Sequence, residues 1–236
     1  MTAPSPTKHR VPLWFSVLAN LLAAIIVISL FQTFVAKIYQ VPSGSMENTL
    51  NIGDRIIVNR WNSSDYIPQN NDVVVFNSED SWHAAGATKE DPLIKQAIKT
   101  FGDVTGIGPS HERPLVKRVS ASPGDTLECC SPTTGTLTRN GELLEEPYIF
   151  QDLPFLPGQL DCESDRKSRR CFGPIVVPEG KFLVMGDHRS NSSDGVSQCR
   201  GLDRSLAHGC ARFVDEAEIV GRVSLVLWPF KNAKTL

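Results

Sequence analysis

The sequence predicts a mainly β protein: an antiparallel β-sheet body carried on one N-terminal transmembrane helix. Three observations predict it. One long apolar run lacks charge, a series of short β-rich segments follows it, and an Asn-Gly pair separates two of those segments.

The apolar run comes first. Between Arg10 and Lys37 stand 26 residues with no formal charge, VPLWFSVLANLLAAIIVISLFQTFVA. At 1.5 Å per residue such a helix measures roughly 39 Å, enough to cross a hydrocarbon core of about 30 Å with some tilt. A core helix would carry a polar stripe, and Ser16, Asn20, Ser29 and Gln32 are too sparse to make one. A cleavable leader would have a shorter apolar region and a small-x-small exit, whereas this run leaves through AKIYQVPSG. Lys8, His9 and Arg10 precede the run and no acidic residue occurs before Glu47, which orients the amino end toward the cytoplasm. The expected plan is a cytoplasmic tail over 1–10, a transmembrane helix over 11–36 and an extracytoplasmic β-rich body over 37–236. Inserts are expected in that body at about 78–113, 126–180 and 196–212.

The body is read from its punctuation. IGDRIIVNR, NDVVVF, PLVKRVS, DTLECC, GTLTRNGELL, GPIVVP, KFLVMGD and GRVSLVLWP are rich in Val, Ile, Leu and Phe and bounded by turn formers. Asn140-Gly141 is a two-residue hairpin signal. Many short strands with such turns favour an antiparallel sandwich or barrel-like body. One helix interrupts them: Leu93, Ile94, Ala97, Ile98 and Phe101 recur at helical spacing. The expectation is that this face packs on the body, with a membrane-lying helix as the alternative. The Pro/Gly-containing and then charged stretch 151–172 reads as a solvated loop.

Charge and cysteine usage exclude other classes. A net charge of −2 leaves no basic surplus to neutralise phosphates, so nucleic acid is not a partner. Beyond the run stand 22 basic and 26 acidic residues, an ordinary soluble surface. All six cysteines fall in the exported portion, which suggests disulfides, although six permit 15 pairings. Cys199 with Cys210 closes a short loop and is the favoured pair, while Cys129 with Cys130 is disfavoured as strained. No zinc-like ligand spacing occurs, so neither a metal nor an organic cofactor is expected.

The chemistry centres on PSGSM, directly after the span. Pro42 stiffens the chain, Gly44 permits close approach, and Ser45 presents a hydroxyl that needs a base to become nucleophilic. His188 in MGDHRSNSSDG offers one base, with Asp187 or Asp194 as its support. Lys117 offers another. In PLVKRVS read as a strand, Leu115, Lys117 and Val119 share one face and Val116 and Arg118 the other. Burial lowers a lysine pKa, and reaching 7 to 8 requires about 3.5 to 5 kcal/mol of differential desolvation. Residue types alone leave both bases open.

PSGSMENTLNIGDRIIV resembles the serine motif of type I signal peptidases, membrane-anchored Ser-Lys proteases that remove signal peptides from exported proteins. The likeness continues in order through NDVVVF, LVKRVSASPGD, MGDHRSNSSDG and IVGRVSLVLWP. The resemblance implies Ser45 as nucleophile and Lys117 as general base. It implies an oxyanion hole from the Ser43 hydroxyl and the Ser45 N–H, with Ser192 hydrogen-bonding the lysine amine. Asp187 and Asp194 match the acids that buttress this loop. Tyr39, Val41, Pro42, Ile56, Val58 and Val116 match the shallow pockets that accept small side chains at the substrate's −1 and −3 positions. Preprotein signal peptides and the lipid bilayer are the implied partners. The enzyme would act beside the export translocon, as a monomer in the plasma membrane.

Three departures qualify the likeness. Val196 stands where the family has an arginine, which leaves the ion partner of Asp187 open, with Arg200 the nearest arginine. Asn48 stands at a common proline, and Ala121 at a common glycine. Two other classes share parts of the pattern. A membrane scaffold needs no Ser-Lys pair, and a sortase-like transpeptidase needs a reactive cysteine in a TLxTC context that is not found here. A processing peptidase with few clients would share all the chemistry.

Overall fold

The apolar run folds as a single helix, α1 (Leu13–Phe34), apolar on every side and almost wholly exposed. It lies within the expected 11–36 span. The chain leaves the helix at Val35, and Ala36 already begins a strand, because the alternating KIYQ that follows pairs with another segment. The computed structural model describes residues 12–60, 66–77, 82, 92–105, 114–202 and 209–236. The expected cytoplasmic tail, and with it Lys8, His9 and Arg10, lies outside the described residues, as do His83, His111 and His208.

Twelve strands are described, all paired antiparallel. The larger sheet contains β1 (Ala36–Gln40), β2 (Arg55–Asn59), β3 (Val73–Asn77), β4 (Pro114–Ala121), β9 (Lys181–Met185), β10 (Val214–Asp215), β11 (Ile219–Trp228) and β12 (Lys234–Thr235). Its order is β1-β2-β11-β3-β4-β9-β10, with β12 added on β11. The smaller sheet contains β5 (Thr126–Cys129), β6 (Leu137–Arg139), β7 (Glu142–Leu143) and β8 (Phe172–Val176), in the order β7-β6-β5-β8. Asn140 and Gly141 have φ of +55° and +83° in the β6–β7 turn, the conformation that a type I′ hairpin requires.

Burial explains why several strands read as continuous apolar runs. Val73 and Val75 join Val116, Ile56, Val58 and Val223 in one cluster, while Val74 and Phe76 face Val119, Phe182 and Val184 in another. Both faces of the large sheet are therefore covered, and no polar alternation is needed. The small sheet packs Leu127, Leu137, Phe172 and Ile175 onto Ala121, Leu183 and Met185 at the β4/β9 end. Strand β4 contributes to all three core clusters and β9 to two of them.

Two expectations are corrected here. The periodic segment does form a helix, α2 (Leu93–Thr105), but its apolar face does not pack on the body: Leu93, Ile94, Ile98 and Phe101 are all exposed. All six cysteines are bridged, with Cys199–Cys210 as expected and Cys162–Cys171 beside it, which leaves the disfavoured neighbours Cys129 and Cys130 joined to one another.

Candidate active site

Ser45 sits in a short 3₁₀ turn (Gly44–Met46) that begins four residues after β1 ends. The turn is buried, and Met46 and Leu50 tie it to the core cluster of β2, β3 and β4. Lys117 lies mid-strand on β4, opposite Val74 of β3. Its Nζ donates a hydrogen bond to Ser45 Oγ at 2.5 Å, and the two side chains are only 4% and 8% exposed. Burial pulls the lysine pKa from 10.5 down to about 8, while Asp194 and Asp187 oppose the shift and Arg212 assists it. A fraction of this amine is therefore neutral at pH 7, beside a hydroxyl whose proton it can take.

His188 is not placed for that task. Its Nδ1 faces the Glu47 carboxylate at 2.7 Å and the Gly44 carbonyl at 3.2 Å, and its Nε2 faces the Gln151 side chain at 3.1 Å. Its contact with Ser45 is through the backbone: the His188 N–H donates to the Ser45 carbonyl at 3.1 Å. The imidazole thus clamps the serine turn instead of touching the hydroxyl. No cysteine among the six is free.

The two aspartates are buried and each has its own arginine. Asp187 receives two hydrogen bonds from Arg118, from Nε at 2.9 Å and Nη2 at 2.7 Å, and another from the Thr49 hydroxyl. Arg118 also lies 3.9 Å over the Tyr148 ring. The open question about Asp187 is thereby answered by the residue next to Lys117. Strand alternation sends the two neighbours to opposite faces, so one backbone segment supplies both the base and the buttress. Arg200, the arginine nearest in sequence to Val196, pairs with Asp194 at 3.2 Å. Asp194 also accepts from the backbone N–H groups of Gly186 and Val196.

Close packing at Gly186 joins these parts. A Cβ there would come within 2.6 Å of the Ser45 carbonyl and would also strike Ser192. Arg189 closes the loop from the other side, donating to the Gly186 carbonyl at 3.0 Å and pairing with Glu146 at 2.5 Å. Glu47, Tyr148, Glu146 and Arg189 were not singled out from sequence. Arg189 had a signal in its place within GDHR; the others are meaningful only through distant partners.

The remaining candidates divide. Val41, Pro42, Ser43, Ser45, Met46, Leu115, Val116 and Lys117 line one shallow pocket, with Ser43 exposed at its edge. Tyr39, Ile56 and Val58 instead pack in the core cluster that also holds Val41 and Val116. Ser192 Oγ is buried with no hydrogen-bond partner, so the expected bond to the lysine amine is not made in this state. At Asn48 φ is +78°, which proline cannot adopt and asparagine tolerates, and this accounts for the departure there. Ala121 is fully buried in the cluster between the sheets.

Comparison with known proteins agrees with this geometry. The family model described as "Signal peptidase, peptidase S26" matches residues 14–228. A probable signal peptidase I of Mycobacterium leprae is 34% identical over 242 residues, covering 95% of this chain and 79% of that protein. Signal peptidase I of Mycobacterium tuberculosis is 34% identical over 235 residues, covering 96% and 76%. Signal peptidase IB of Staphylococcus aureus is 27% identical over 224 residues, covering 91% and 90%. A serine hydroxyl on a buried amine, in a β body behind one apolar helix, sits within a match that runs nearly the whole chain: this protein belongs to the signal peptidase family, peptidase S26, and is a serine-protease-type hydrolase.

Proposed function

We propose that the protein is a membrane-anchored endopeptidase that removes N-terminal signal peptides from exported preproteins, cutting after small-x-small sites through a Ser45–Lys117 dyad. The observation that carries this reading is the 2.5 Å contact between Lys117 Nζ and Ser45 Oγ, with the amine buried.

In the first half-reaction Ser45 Oγ attacks the scissile carbonyl carbon and its proton passes to neutral Lys117 Nζ. Negative charge then develops on the carbonyl oxygen, where the Ser45 N–H and the Ser43 hydroxyl donate. Collapse expels the amine of the mature protein, which takes the proton from the Lys117 ammonium and leaves an ester on Ser45. In the second half-reaction Lys117 takes a proton from water as that water attacks the ester carbonyl. The acyl–Oγ bond then breaks, the Lys117 ammonium returns the proton to Ser45 Oγ, and the signal peptide leaves with its new carboxyl group, which ionises in water. Ser192, with its idle buried hydroxyl, receives an Nζ–H bond once Ser45 Oγ has become the ester oxygen.

The pocket fits the proposed specificity. Its apolar walls include Val41, Pro42, Met46, Pro114, Leu115 and Val116, and the little space they leave supports small substrate side chains over large ones. Location supports it as well. Ser45 follows the end of α1 by only 11 positions, so the hydroxyl stays near the membrane face where a substrate's own apolar helix emerges. Confinement of both partners to one surface supplies orientation that free diffusion would not. With Lys8 and Arg10 holding the amino end in the cytoplasm, the β body stands on the outer face of the plasma membrane, beside the export machinery. The pocket and dyad lie within one chain, which suits a monomer.

Incubation of the purified full chain in detergent with a preprotein tests class and nucleophile together. Wild type is expected to cut at the signal junction and Ser45→Ala to leave the preprotein intact. Equal cleavage by both would overturn the reading.

A further inference from the structure

We infer that α2 is a second membrane-contact element, lying along the bilayer boundary with its apolar face among phospholipid acyl chains. This rests on the reading of α1 as a membrane span.

The first observation is the exposure already noted. Leu93, Ile94, Ile98 and Phe101 are 82%, 76%, 49% and 57% exposed, although at 100° per residue they fall within one arc of about 140°. Water gains nothing by wetting such a stripe; a lipid surface matches it. The second observation is where this helix sits. It packs against α1, with Gly102 buried. Along α1 the positions that are not exposed are Ile25, Ser29 and Gln32, four and three residues apart on one face. A serine and a glutamine on that stripe, with a glycine buried on α2, are small and polar residues that let two helices approach closely. Most of the large apolar side chains of both helices are left turned outward.

The third observation is charge. Lys95 and Lys99 fall on the side of α2 away from the apolar arc, with Lys95 exposed and Lys99 half-buried. The exposed Lys95 on that side meets headgroup phosphates from the aqueous side, away from the acyl chains. One helix therefore presents acyl-chain contacts on one side and phosphate contacts on the other, alongside the anchor. The body is thus held to the bilayer at two places, which restricts its tilt and keeps the Ser45 pocket facing the membrane plane.

Photo-cross-linking tests the placement. A benzophenone amino acid is introduced singly at Ile98, at Lys95 and at Val27 of the exposed α1 surface. Each full-length chain is reconstituted into phosphatidylethanolamine–phosphatidylglycerol vesicles, irradiated and weighed intact; Ile94 replaces Ile98 if that variant does not reconstitute. Lipid-mass adducts are expected at Val27 and Ile98, and roughly fivefold fewer at Lys95. The inference is overturned if Val27 acquires lipid while Ile98 bonds only to protein, whether its own β body or a second copy. Equal lipid yields at Ile98 and Lys95 would also overturn it. Absence of lipid at Val27 would remove the anchor reading beneath it.

Discussion

The large sheet and the small sheet hold their shapes by different means. Around Ser45 the large sheet and its loops bury charge: Arg118 pairs with Asp187, Arg200 with Asp194 and Arg189 with Glu146, beside the buried Lys117. Among the described residues the small sheet and its loops have few such pairs; the Cys162–Cys171 bridge staples the loop that precedes β8, with a modest apolar cluster between the sheets. A buried ion pair adds little net stability, but loss of one partner leaves a costly stranded charge. A disulfide acts mainly by limiting the unfolded chain and fixes few directions in the folded one. Orientation is therefore concentrated where the proposed chemistry occurs, and covalent stapling where the chain is loop-rich.

Substitutions sharpen that contrast. Arg118→Met carries the largest expected loss, because Asp187 keeps only the Thr49 hydroxyl and stays buried and charged. About 3 to 5 kcal/mol of stability should disappear, read by urea denaturation in detergent. Cleavage should fall with it, since Asp187 and the serine turn share Thr49's loop.

Lys117→Met should move the two properties in opposite directions. The folded pKa is about 8 against 10.5 unfolded, so the native state binds its proton less readily. Below pH 8 both states are charged and the fold bears the full desolvation cost. Stability recovers as pH rises from about 8 to 10.5, and above that the cost is gone. At pH 6 the methionine variant should be more stable than wild type by about 3 kcal/mol, an advantage absent above pH 10.5, with no cleavage at any pH. An equal advantage at both pH values would contradict the burial argument.

Replacing Cys162 and Cys171 together by serine should cost roughly 3 kcal/mol for the short loop they close. The pH profile of cleavage should not move, because no member of the dyad touches that loop. Ser192→Ala gives the smallest stability change, under about 1 kcal/mol, since its hydroxyl has no bond to lose. Turnover should nevertheless drop about tenfold if the hydroxyl receives the lysine during the acyl-enzyme stage. Unchanged turnover would remove Ser192 from the cycle.

Much of this architecture was legible because it is local. Apolar runs such as VVVF and KFLVM marked β3 and β9, and Asn140-Gly141 marked its hairpin. Short strands without a run of their own were not visible: β1 hides at the end of the apolar stretch, and β10 and β12 have two residues each. Ser45 and Lys117 stood out through a motif and an odd lysine in a strand. Their supports did not. Arg118 and Asp187 are 69 residues apart, and Glu47 and His188 are 141 apart, so only the folded chain pairs them. The face of α2 is exposed where packing on the body is expected, because periodicity shows that a face is apolar and not what covers it.

The pH dependence of kcat/KM, measured on a short soluble peptide with a small-x-small site, tests the lysine base most directly. Activity should climb through a single ionisation near pH 8 and then level, and Lys117→Arg, which cannot give up its proton, should be inactive throughout. A limb near pH 6.5, where an ordinary histidine titrates, together with an active Lys117→Arg enzyme, would contradict the account.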